Sequence, residues 1–152
     1  MGEYIKMQFT RTRMVLKQTL ENITPEVYST IPKGFNNNIL WQVGHVLMTT
    51  DFLLFNGKVT IPKSYQKLFG PGTKPADWPM DVPYLETLLQ QIEEQLERIQ
   101  SIDTNTFNEK LPKSIFGNET KGELAAFAAF HEAMHVGQIQ VMKRLIETMK
   151  TK

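Results

Sequence analysis

The sequence predicts an all-α protein, a four-helix bundle with long crossover connections. Four stretches carry apolar residues at helical spacing, no stretch alternates convincingly as a strand, and two Pro- and Gly-broken segments are too long for simple hairpins. Four amphipathic helices must bury their stripes against one another, which makes a bundle the natural architecture. A chain of 152 residues fits a single domain over 1–152.

Ile5, Phe9, Leu16, Leu20 and Ile23 form the first stripe and predict a helix from about Glu3 to Asn22. Thr24-Pro25 opens a connector that ends in Asn36-Asn37-Asn38, any of which can cap the next helix. Trp41, His45, Met48, Phe52 and Phe55 form the second stripe, strongly apolar, and Asn56-Gly57 reads as its left-handed stop. Lys58 to Pro83 cannot hold a long helix. Its Tyr65, Leu68, Phe69 and Trp78 are too apolar for a free linker, so it is expected to pack on the bundle, over the mouth of a site or as an inert crossover. Leu85, Leu88, Leu89, Ile92, Leu96 and Ile99 make the cleanest helix, with Glu93, Glu94 and Glu97 on its solvated side. After a second broken stretch, Ser101 to Asn118, the last helix runs from about Lys121 to Thr148. Its expected inner face is Leu124, Phe127, Ala128, His131, His135, Gln138, Met142, Leu145 and Ile146. At least one connection is expected to cross the length of the bundle.

Charge is nearly balanced, 17 Lys plus Arg against 16 Asp plus Glu, which argues against a nucleic-acid footprint or a membrane-binding patch. No window approaches the roughly 18 apolar residues of a membrane span. Met1 to Lys6 carries charges and no apolar run, so no signal peptide is expected and a cytoplasmic location is. Cysteine is absent, which excludes disulfides, thiolate zinc sites and a thiol nucleophile supplied by the chain.

The chain has three histidines. His131 and His135 lie four apart in F-H-E-A-M-H-V-G-Q, so they stack one turn apart on one helix face. His45 ends N-I-L-W-Q-V-G-H, mid-face on another helix. A helical H-x-x-x-H pair alone is as often chance as metal site. A third histidine inside an apolar stripe shifts the balance, because a buried unpaired imidazole is costly. Three imidazoles suit Zn, Ni, Cu or Fe, and with no fourth protein ligand they leave a coordination position open, as catalytic metals require. Asp51 and Glu132 are the nearest carboxylates in sequence and neither shares the histidine stripe. A metal-bound water or thiol loses its proton more easily.

Gln138, one turn beyond His135, is a candidate to orient a bound ligand or an imidazole, and Glu132 a weaker candidate for proton transfer. Trp41 and Met48, on the His45 stripe, are candidates for a substrate wall, with core filling as the alternative. Met134 and Met142 read as core filler. H-E-A-M-H also fits the H-E-x-x-H of zinc metalloproteases, but nothing suggests a substrate-edge sheet and the third histidine lies far upstream.

These two motifs, with Y-Q-K-L-F-G-P-G-T-K-P at Tyr65 to Pro75, resemble the DinB-like (DinB/YfiT) superfamily of metal-binding four-helix bundles over nearly the whole chain. The resemblance implies His45, His131 and His135 as ligands of a divalent ion, Zn or Ni in most members, and a homodimer as a common state. It also implies a chemistry: better-understood relatives are transferases and isomerases that use low-molecular-weight thiols. The expected function is therefore a metal-dependent enzyme activating such a thiol, or water, against an electrophilic small-molecule substrate. A metal-dependent hydrolase and a non-enzymatic, stress-related metal-binding bundle are the alternatives.

Overall fold

The computed structural model describes residues 1–56, 58, 60–79 and 81–150. Four long helices dominate: α1 (Gly2–Leu20), α3 (Ile39–Phe55), α5 (Leu85–Gln100) and α6 (Lys121–Lys150). Two one-turn helices, α2 (Pro25–Ser29) and α4 (Tyr65–Phe69), sit in the connectors. Each end has a local cause. Asn38 caps α3, its Oδ1 accepting from the Trp41 amide at 2.8 Å. Asn56 ends α3 in the left-handed region (φ 49°), and Gly57 lies outside the described residues. Thr120 and Glu123 form a reciprocal capping box at the start of α6. Thr24 caps α2 with Pro25 as its first residue, a start signal inside what had read as plain connector.

The absence of strands is corrected. β1 (Lys110–Ile115) and β2 (Asn118–Thr120) pair antiparallel through a turn at Phe116 and Gly117, both with positive φ (50° and 79°). Such a two-residue turn supplies the twist a hairpin needs, and Phe116 tolerates its left-handed backbone by stacking on Phe127, ring centroids 5.5 Å apart.

Side-chain pairings set the topology. Lys6 donates to the Gln100 carbonyl and Lys17 pairs with Glu93, so α1 and α5 are antiparallel. Gln95 donates to the Leu47 carbonyl and Arg98 pairs with Asp51, so α3 and α5 are parallel. Gln42 reaches Gln138 while Thr50 reaches Glu132, so α3 and α6 are antiparallel. The bundle is up-down-down-up. The connection from α3 to the parallel α5 therefore runs the bundle's length, in line with the expectation that at least one connector does.

The core is divided. One apolar cluster gathers Leu16, Leu20, Val43, Leu47, Leu88, Ile92, Val136, Ile139 and Met142; the other gathers Ile5, Phe9, Leu53, Ile99, Phe107, Leu124, Ala125 and Ala128. Between them a buried polar layer draws on every long helix, through Arg13, Thr50, Gln95 and Glu132. The Arg13 guanidinium is paired with the Glu132 carboxylate and donates to Gln95 Oε1 and the Ile92 carbonyl, each at 2.7 Å. A buried charge persists only when so paired and bonded.

Several inner-face expectations shift. The buried stripe of α6 runs through Glu132, Val136, Ile139 and Met142, with His131 and His135 at its edge and Gln138 and Leu145 exposed. Met134 and Phe52 are exposed as well, at 47% and 56%, so neither fills the core.

Candidate metal centre

The three histidines converge. His45 on α3 presents Nε2 at 3.2 Å from His131 Nε2, and His135 Nε2 lies 3.1 Å from the same atom. One ring nitrogen from each histidine falls within 4.8 Å of the others, and no carboxylate among the described residues joins the group. The antiparallel packing of α3 on α6 brings the three rings together edge-on, with planes 58–63° apart.

Hydrogen bonds decide which nitrogens are free. His45 Nδ1 lies 2.7 Å from the Phe69 carbonyl, which can only accept, so Nδ1 carries the hydrogen. His135 Nδ1 meets Gln42 Oε1. The Gln42 amide nitrogen donates to Gln138 Oε1 at 2.8 Å and Asn37 Oδ1 at 3.0 Å, so its oxygen must be the acceptor. Both Nε2 atoms are therefore bare lone pairs aimed at the cluster. Such bonds fix tautomer and ring angle as they do in metal sites.

Burial acts in the same direction. It lowers the His45 pKa against the opposing pull of the Phe69 carbonyl. Burial, with the His45 charge adding to it, pushes His131 down to about 4. Burial, then the His131 and His45 charges, pushes His135 to about 3. All three are neutral at pH 7, the form that ligates.

A cation fits this donor set. Two nitrogens at about 2.0–2.1 Å from a tetrahedral ion lie roughly 3.3 Å apart, close to the two observed separations. His131 Nδ1 is sealed from solvent without a partner.

The crossover builds the back of the centre. Gly44 lets the Phe69 ring lie directly on α3; a Cβ there would stand 2.5 Å from the ring. That contact brings the Phe69 carbonyl to His45. Trp41 stacks on His45, centroids 4.5 Å apart and planes at 10°, and its Nε1 donates to Thr73 of the crossover. Phe69 and Thr73 of the crossover thus pack behind His45 and Trp41.

Of the other candidate residues, Gln138 acts on His135 at one remove, through Gln42. Trp41 is buried with its face against His45. Met48, half-buried, lines an adjacent crevice. Glu132 is fully buried beneath Arg13, so its carboxylate is engaged. Sequence reasoning missed Gln42 and the Phe69 carbonyl. Gln42 stood in a quoted motif, three residues before His45, but its partner lies on a different helix; a backbone carbonyl leaves no residue-type signal at all.

A helical bundle with three imidazoles gathered between antiparallel helices defines a candidate metal-binding bundle. The chain belongs to the DinB superfamily, whose pattern it matches over residues 8–139. Its fold is similar to that of a conserved protein from Enterococcus faecalis, at 14% identity and a TM-score of 0.71, covering 97% of this chain and 98% of that one. No curated protein matches the sequence.

Proposed function

We propose that His45, His131 and His135 hold one divalent transition-metal ion, zinc or nickel, and that the chain is an enzyme joining a small nucleophile to an electrophilic small molecule at that centre. The observation that carries this reading is the aim of the imidazoles: two bare Nε2 atoms, each fixed by an acceptor on the opposite nitrogen, meet a third. A bound ion would supply Lewis acidity and ease loss of a proton from a low-molecular-weight thiol or from water. The chain's own part is to hold the rings neutral and oriented, through the Phe69 carbonyl and Gln42, and to back them with the Trp41 ring. It has no cysteine, so a thiol nucleophile comes from outside. Thiol-dependent S-transfer is the favoured reaction.

One observation favours a second reading, a metal-binding bundle without turnover. Asp51 and Glu132 are both tied in ion pairs, which leaves neither carboxylate as a free general base.

Elemental analysis comes first. Native protein is expected to carry one ion per chain, and each of His45→Ala, His131→Ala and His135→Ala to lose it; full metal in His45→Ala would remove that residue from the site. Turnover of monochlorobimane is then measured with several cellular thiols. A rate above that of metal-free protein supports transfer. Ester cleavage without thiol use marks a hydrolase, and neither reaction leaves the metal-binding bundle.

We propose as well that two copies of the chain pair through α6. Phe130, Met134, Val141 and Leu145 are exposed on one outward face of that helix, with Gly137 open among them.

A further inference from the structure

His45, Met48, Thr49 and Phe52 follow one another at spacings that put them on one face of α3. The last three line a crevice of about 540 Å³, closed by Ile61, Pro62, Lys63, Gln66 and Pro71 of the crossover and by Phe116 of the hairpin tip. That volume lies within the range of small-molecule sites, roughly 300–1,000 Å³. The crevice begins one helical turn from His45. On the opposite side its rim is held by the Phe116–Phe127 stack, and Phe127 lies one turn before His131.

Four observations say what fits. Most of the wall is apolar, and two large aromatic rings, Phe52 at 56% and Phe116 at 72% exposure, stand open at it. Large exposed apolar groups gathered at one concavity mark a binding surface. The crevice has one lysine, Lys63, which takes no ion pair among the described residues. Its acid, Asp51, is already neutralised by Arg98 at 2.9 Å. At the end nearest His45, the Thr49 hydroxyl oxygen is sealed from solvent and bonded to nothing. A sealed, unbonded hydroxyl is costly unless a ligand or water meets it.

We infer that this crevice is the acceptor-substrate subsite of the three-histidine centre, and that it takes a small molecule with an aromatic or alkyl body and an anionic end group. The body lies between Phe52 and Phe116, the anion meets Lys63, and a polar group near the reacting end meets Thr49. The inference rests on the proposed metal centre only for its link to catalysis; the crevice itself can be tested on metal-free protein.

The test is a fluorescence titration of the full chain, stripped of metal, with two probes. One is 1-anilinonaphthalene-8-sulfonate; the other is its uncharged relative N-phenyl-1-naphthylamine. Saturable binding of both is expected, with the sulfonate tighter. Phe116→Ser, at an exposed turn, should weaken both probes by about tenfold. Lys63→Gln should weaken the sulfonate by about fivefold and leave the neutral probe unchanged. Equal affinity of native protein and both variants, or tighter binding of the neutral probe, overturns the subsite. On cobalt-loaded protein the sulfonate should shift the visible absorption bands. Unchanged bands with probe bound would detach the crevice from the centre. Failure to take up cobalt would sink the metal reading and leave the titration standing.

Discussion

At the scale of single residues, the site depends on the atoms that hold the imidazoles as much as on the imidazoles. Gln42 is the clearest case. It gives its oxygen to His135 Nδ1 and its two amide hydrogens to Asn37 and Gln138. Gln42→Leu keeps the size and removes the acceptor, which frees the His135 ring to turn. Metal affinity is expected to fall by about 10–100-fold, the usual cost of losing such a partner. Competition against a chelator measures it, and undiminished affinity would show that the ring needs no such hold. Gln138→Leu should cost less, since it acts only through Gln42. The three histidines could be singled out from sequence because residue type and helical spacing both spoke for them. Gln42 could not, because a glutamine in an apolar stripe has many uses and only the packing of α3 on α6 selects one.

At the scale of elements, the layer formed by Arg13, Thr50, Gln95 and Glu132 sets how the helices face one another. Glu132→Ala would strand the Arg13 guanidinium in the core and is expected to destabilise the fold by about 3–5 kcal/mol. Joint replacement by apolar residues, Arg13→Met with Glu132→Leu, should recover most of that loss. Urea unfolding of the three proteins decides it. A Glu132→Ala variant that stays fully stable but loses turnover would instead return Glu132 to the proton-transfer role that the sequence suggested. The four long helices were legible because their apolar periodicity reflects the core they form. The hairpin was not: β1 holds Pro112 and exposes four of its six residues, so it carries no alternation, and its turn uses a phenylalanine where glycine or asparagine is usual. The one-turn helices were too short for any period to register.

At the scale of the whole molecule, the exposed stripe on α6 is where a second copy is expected. An outward apolar face on a bundle helix calls for a partner, and a two-fold axis lets one stripe meet itself. Native protein is expected to sediment as a dimer, and Met134→Lys with Val141→Lys as a monomer with its metal retained. A monomeric native chain would end this expectation. The sequence left the geometry of such a dimer open, and the last helix was read with its histidines and Leu145 inward. The true inward arc is rotated toward Glu132, which leaves Phe130 and Met134 outside. That rotation follows from the polar layer, which was invisible in one dimension because its members lie on four different helices. The layer has a further consequence. It stands as a bulkhead between two apolar compartments, each helix pinned to it at a single point. Repacking around Phe9 or Leu124 can be absorbed on one side of that wall, while the tilt of each helix and the aim of its imidazoles stay indexed to the wall itself. The compartment around Phe9 and Leu124 is thus free to drift in composition over generations, while the other is held by Trp41 and Phe69, which back the imidazoles.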